Sequence, residues 1–167
     1  MNFLRQMQVQ QIGIDGQKKI ESARVAIVGL GAIGSATLQL LVHSGIQAYI
    51  LIDNDTINPT NLPRQTIYTQ QDVGKKKVEC AKNYIMQKNP QAKVQVHDVL
   101  LTEQNSNLIA NADIICDGTD TLQARRMLQS VSQKTQKPWI YCGAAGTSYL
   151  SFFIHPHHTP CDKLFEH

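Results

Sequence analysis

A doubly wound α/β domain, with a mainly parallel sheet and helices on both faces, is the fold this sequence predicts. Three observations carry that expectation. An apolar run, Arg24-Val-Ala-Ile-Val28, leads straight into Gly29, Gly31 and Gly34 at the spacing G-x-G-x-x-G. A second apolar run, Ala48-Tyr-Ile-Leu-Ile52, closes on Asp53, nineteen residues past Gly34. Beyond it, short apolar runs alternate with stretches of helical periodicity, as a parallel sheet with crossover helices requires.

Each element has its own signal. Residues 1–22 are polar and amphipathic and read as a helical arm, with Asp15-Gly16-Gln17 as a turn before a short helix ending near Ser22. Residues 24–28 are the first strand. After Gly34, apolar positions at Ala36, Leu38, Leu40 and Leu41 mark a helix, and Gly45 stops it. Residues 48–53 form the second strand, and Asp53-Asn-Asp55-Thr-Ile-Asn58-Pro59 opens a loop that runs through Gln65. Residues 72–88 read as a helix, with Asp72 as N-cap, Val78, Ala81 and Ile85 on one face, and Asn89-Pro90 at the end. Residues 94–98 alternate as a strand. Residues 112–117 are another, followed by Gly118-Thr-Asp120 and a helix from Thr121 to Gln133. Residues 138–142 form a strand ending in Gly143-Ala-Ala-Gly146, and residues 151–154 form the last.

The 167 residues, 42% hydrophobic and 17% charged, are enough for one domain with a real core. A dispersed net charge of +3 gives no nucleic-acid footprint. No apolar segment approaches a membrane span, and the N-terminus does not lead into a signal-peptide core. Cys80, Cys116, Cys142 and Cys161 show no paired spacing, so free thiols in a reducing cytoplasm are expected.

A strand, a tight glycine turn and a helix N-terminus make an anion site, because unpaired N–H groups and the helix dipole both face the ligand. Gly29 permits the turn, Gly31 lets backbone approach phosphate, and Gly34 lets helix pack on strand. In a Rossmann-like sheet the ligand lies outside the carboxyl ends of the strands, where strand order reverses. That crevice would gather Gly29–Gly34, Asp53 and Asp117–Asp120.

The motifs extend over nearly the whole chain: Arg5-Gln6 with Asp15-Gly16-Gln17, Val28-Gly-Leu-Gly-Ala-Ile-Gly34, Asp53-x-Asp55, Asn61-Leu-x-Arg64-Gln65, Val73-Gly74-x-x-Lys77, Asn89-Pro90, Asp117-x-Thr-Asp120 and Gly143-Ala-Ala-Gly146. Together they resemble the ThiF/MoeB/HesA adenylyltransferases, whose fold also forms the adenylation half of ubiquitin-activating enzymes. The resemblance implies that ATP is joined to the C-terminal carboxylate of a ubiquitin-like sulfur-carrier protein ending in Gly-Gly. It places the nucleotide against Gly29, Gly31, Ala32, Gly34, Asp53, Asp55, Asn61, Arg64, Lys77, Asp120 and Thr121. Asp53 suits a ribose hydroxyl, Arg64 offers a planar fork to phosphate oxygens, and Lys77 a point charge on the triphosphate. Asp120 fits as a hard oxygen ligand for magnesium. In the same family Arg5 reaches the nucleotide of the other subunit of a homodimer.

The chain also departs from the family. Thr121 stands where Asn is usual, and Gly118 where Cys or Ala is common. Lys75 and Lys76 replace the frequent Gln and Pro; they could be solvated charges or could attract an acidic partner tail. A lone Cys161 in place of a C-x-x-C pair argues against structural zinc of that type, and His155-x-His157-His158-x-x-Cys161 reads as a polar hairpin whose spacing could also bind a metal. The sequence stops where relatives carry further sheet and often a reactive cysteine, so it is expected to perform at most adenylation, without a thioester. Three alternatives stand beside this reading: a related ATP-dependent enzyme that modifies a transfer-RNA base, an NAD-binding domain, and a non-catalytic dimerisation or interaction module.

Overall fold

The computed structural model describes residues 2–156. Two short helices, α1 (Leu4–Met7) and α2 (Gly13–Ser22), precede β1 (Arg24–Val28), α3 (Ala32–Ser44) and β2 (Ala48–Ile52). Then come α4 (Lys77–Lys88), β3 (Lys93–His97), β4 (Ile114–Asp117), α5 (Leu122–Thr135), β5 (Trp139–Ala145) and β6 (Ser148–Ile154). The strands form one sheet in the order β3-β2-β1-β4-β5-β6. The first five are parallel, and β6 returns antiparallel along β5. The chain winds outward from β1 to β3, then crosses back to β4, so strand order reverses between β1 and β4. That reversal leaves the two loops leaving β1 and β4 splayed around a gap.

Parallel strands covered on both faces must be apolar on both, and β1 and β2 are buried along nearly their whole length. Side chains alternate between two cores. Val25, Ile27, Tyr49 and Leu51 pack under Leu38 and Val42 of α3 and Val78, Ala81 and Ile85 of α4. Ala26, Val28, Ile50 and Ile52 face the other way, toward Leu128 and Val131 of α5 and Trp139 of β5. The expected doubly wound arrangement is therefore present, and Gly45 ends α3 as anticipated. No helix among the described residues is long and apolar enough to cross a membrane.

Three local expectations are overturned. Asp15-Gly16-Gln17 is not a turn but lies inside α2, because tertiary packing outweighs local propensity there. Gln17 is buried; its Nε2 donates to Glu21 and to the Ser44 carbonyl, while Gln6 Nε2 donates to both Gln17 Oε1 (2.7 Å) and Ser44 O (3.0 Å). These bonds dock the arm on the C-terminal end of α3. The helix expected from Asp72 starts at Lys77 instead. Asp72 closes a preceding 3-10 turn by accepting the amide and hydroxyl of Thr69, and Gly74, at φ +84°, breaks the run before α4. Finally, β5 continues through Gly143-Ala-Ala145, because β6 offers a partner at every step down to the Ala145–Ser148 pair.

The tightest packing joins the glycines. Gly29 has φ +85°, and a Cβ on either Gly34 or Gly118 would be driven into its carbonyl oxygen. Overpacking against movable side chains costs about 1–3 kcal/mol, and main chain yields less readily. Gly34→Ala should therefore lower stability by about 3 kcal/mol or more, read as a lower urea midpoint at unchanged slope.

Candidate functional site

The gap between the β1 and β4 loops opens into a crevice of about 490 Å³ at the carboxyl ends of the strands. Gly29, Gly31 and Ala32 line it from the first turn, Asp53 and Asp55 from the end of β2, and Asn61 and Arg64 from the following loop. Lys77 enters from the first turn of α4, and Asp120 and Thr121 from beyond β4. Gly34 is absent from the lining and packs behind the turn, against Gly29 and Gly118.

The glycine turn is held from both sides. The Leu30 amide donates to Asp53 Oδ2 at 2.6 Å, and the Tyr68 hydroxyl donates to the Leu30 carbonyl at 3.1 Å. Burial pushes the Tyr68 phenol far above its ordinary range, so it stays protonated as that donor. The other oxygen of Asp53 accepts the Asp55 amide at 2.8 Å. The residue expected to meet a ribose hydroxyl thus already holds two backbone amides. Asp55 is the carboxylate with open space around it, its side chain 64% exposed.

Lys77 occupies a costly position. Its side chain is only 7% exposed, and it sits at a helix N-terminus, the wrong end of the dipole for a cation. Asp55 Oδ2 offsets this at 2.7 Å from Nζ, and an ammonium has further donors to spend in the crevice. Arg64 is exposed, and one of its guanidinium nitrogens donates to the Thr60 carbonyl at 2.7 Å. Asn61 Oδ1 accepts the Asn58 amide and so fixes the bend that carries Arg64. Of the neighbouring lysines, Lys75 pairs with Asp72 and Lys76 with Asp98. Both charges are met within the domain.

Asp120 is exposed on the loop beyond β4. Asp117, buried at the strand end, accepts the Thr119 amide and hydroxyl with Oδ1, and burial holds its carboxyl above the usual range. Thr121 caps α5 by accepting the Ala124 amide at 3.2 Å. Arg5 is not part of this crevice. It lies on α1, docked at the far end of α3, and 13 helical residues separate the two ends by about 20 Å.

Other lining residues carried no role in the sequence reading. Gln65 stood in a quoted motif, yet nothing there marked it as buried (2% exposed) beside Gly31. Val99, Leu100 and Leu101 form an apolar wall, with Leu100 63% exposed. The signal available was an apolar triplet just past a strand end. Cys80 and Cys116 are buried, and burial pushes the Cys116 thiol up to about 12, so it is no thiolate at neutral pH. His157, His158 and Cys161 lie outside the described residues. Among the described residues no group of three His, Cys, Asp or Glu side chains is placed to hold a metal.

Known proteins share this fold. The ThiF family profile matches residues 3–166. The probable adenylyltransferase/sulfurtransferase MoeZ of Mycobacterium tuberculosis is 32% identical over 140 residues, covering 83% of this chain and 36% of MoeZ. The sulfur carrier protein ThiS adenylyltransferase of Bacillus subtilis is 32% identical over 162 residues, 95% of this chain and 48% of the relative. Among solved structures, Escherichia coli MccB with MccA-N7isoASN superposes with a TM-score of 0.81 at 29% identity, covering 89% of this chain and 45% of that one. The chain spans less than half the length of each of these relatives. With the profile match running across the whole described fold and its crevice, the chain belongs to the ThiF family.

Proposed function

We propose that this domain joins ATP to the C-terminal carboxylate of a ubiquitin-like sulfur-carrier protein ending in Gly-Gly. A carboxylate oxygen bonds to the α-phosphorus, and the bond to the bridging oxygen breaks. Pyrophosphate leaves with that electron pair, and an acyl-adenylate remains. The observation that carries the reading is Lys77, a buried ammonium at the wrong end of a helix dipole, facing a crevice that also holds Arg64 and an anion-binding turn. A cation kept at such cost suits a ligand with concentrated negative charge. The apolar wall of Val99–Leu101 suits the base of the nucleotide, and the exposed carboxylate of Asp55 suits its ribose. The Bacillus subtilis relative, by its name an adenylyltransferase of the carrier ThiS, supports the choice of partner. An NAD-binding reading fits less well, since it leaves the crevice cations Lys77 and Arg64, and Asp120, without a role.

Charge counting supports magnesium and a second subunit. Asp53, Asp55 and Asp120 line the crevice against only Arg64 and Lys77. A triphosphate and a carboxylate substrate would add several negative charges, so further positive charge is required. Magnesium is usually held by one or two carboxylates plus substrate phosphates, and the exposed Asp120 fits as that protein ligand. Arg5, about 20 Å from its own crevice along α3, would contribute from the partner of a homodimer.

ATP–pyrophosphate exchange, stimulated by a carrier ending in Gly-Gly, is the expected activity; NAD binding without ATP binding would sink the reading. Arg64→Ala and Asp120→Ala should each lower exchange by about 10²–10³, with melting temperature nearly unchanged because both residues lie on exposed loops. Arg5→Ala and Asp120→Ala homodimers should each show that same large loss. Mixed dimers should regain activity, since one of their two sites is then intact; no recovery after proven subunit exchange would make Arg5 a surface residue.

A further inference from the structure

We infer that Arg125, on the first turn of α5, is the positioning residue that fixes the Gly118–Asp120 loop and so aims Asp120 into the crevice. Four groups from two segments, residues 117–119 and 141–142, converge on its guanidinium. Nη2 donates to the Cys142 carbonyl of β5 at 3.1 Å and lies 3.4 Å from the Thr119 carbonyl of the loop. Nε stands 3.6 Å from Oδ2 of Asp117, whose other oxygen already grips Thr119 by amide and hydroxyl. The flat face covers the Tyr141 ring, 4.6 Å from its centroid. Thr119 is therefore held twice, directly by Arg125 and through Asp117, and Asp120 is the next residue out.

Only a planar fork meets these demands together. Nη2 serves both carbonyls while Nε faces Asp117, and the single nitrogen of an ammonium could not stand at both places while a planar group covers the ring. The Asp117 carboxylate, fully buried, would then lose its countercharge. Gly143 belongs to the same device. A Cβ there would lie 2.8 Å from the Tyr141 hydroxyl and 3.1 Å from Arg125 Nη2, so the glycine leaves room for the guanidinium. Arg125 does not line the nucleotide crevice. Its action is on geometry, and the assignment of Asp120 as the group it aims rests on the adenylyltransferase reading.

The test compares Arg125→Lys, Arg125→Ala and Gly143→Ala with Val131→Ala, a buried substitution on the same helix far from the loop. Two readouts are taken on the full chain: steady-state ATP–pyrophosphate exchange, and hydrogen exchange of the backbone amides of residues 118–121. Arg125→Lys and Arg125→Ala should lower kcat by about 10²-fold while KM for ATP moves less than about twofold. They should also speed loop amide exchange at least about tenfold. Gly143→Ala, which crowds only side-chain tips, should show both effects to a smaller degree with an intact fold. Val131→Ala should lose stability and show neither. Wild-type loop protection in Arg125→Ala, or the same loop opening in Val131→Ala, overturns the inference. So does a kcat unchanged while the loop opens. If the wild-type protein catalyses no exchange, the functional reading fails, and loop protection alone still decides whether Arg125 holds the loop.

Discussion

The carbonyl oxygen of Gly29 is the point at which this fold is tightest. Main chain from Gly34, in the first turn of α3, and from Gly118, just past β4, both approach it closely enough that neither position has room for a Cβ. The neighbouring ladder explains why. The Gly29 amide bonds to Ile52 O on β2, and the Gly118 amide bonds to Val28 O on β1, each at 2.8 Å, so the ends of β2, β1 and β4 are laced together at one level. With the strand ends pinned and the helix drawn in, the N-terminus of α3, the carboxylates beyond β2 and the loop carrying Asp120 have nowhere to go but one crevice. Side chains supply the chemistry of the site, but the absence of three side chains brings it together.

The electrostatics of that crevice are arranged against the grain of the fold. Helix N-termini favour anions, yet α4 begins with a buried lysine. Asp55 compensates it through a single contact, and the Lys77 amide bonds back to the Asp55 carbonyl at 3.1 Å, so the two residues are tied at main chain and side chain alike. Asp53, two residues earlier, does different work. It satisfies the amides of Leu30 and Asp55 and thereby joins the turn after β1 to the turn after β2. Two neighbouring carboxylates divide the labour, one holding main chain and one facing the open crevice, because the strand end buries the first and releases the second.

Much of this was legible in the sequence because local chemistry and global fold agree. β1, α3 and β2 follow from apolar runs and a glycine triplet that no other arrangement uses so well, and most of the crevice follows from the loops those strands must end in. The failures have a common cause. Asp15-Gly16-Gln17 has the composition of a turn, but Gln17 finds partners in Glu21 and Ser44 that only the folded arm provides. Asp72 has the chemistry of a helix cap but closes the 3-10 turn begun at Thr69, since Gly74 turns the chain before α4 starts at Lys77. Gln65 and the wall of Val99–Leu101 were invisible as site residues because burial of an amide and exposure of leucines are properties of tertiary structure. The division of roles between Asp53 and Asp55 was equally hidden, as both end the same strand.

The peptide groups on either side of Leu30 are both grasped, the amide of one by Asp53 and the carbonyl of the other by Tyr68. The turn that lines the crevice is thus shaped by contacts from the protein's own side chains. A loop that must be ordered on contact charges its conformational entropy against affinity, at roughly 1–2 kcal/mol for each backbone residue frozen. Here hydrogen bonds from Asp53 and Tyr68, supplied by the fold itself, bear that cost. Association at this turn is then a matter of desolvation and charge, and ligands that differ in shape but share an anionic group meet the same rigid seat.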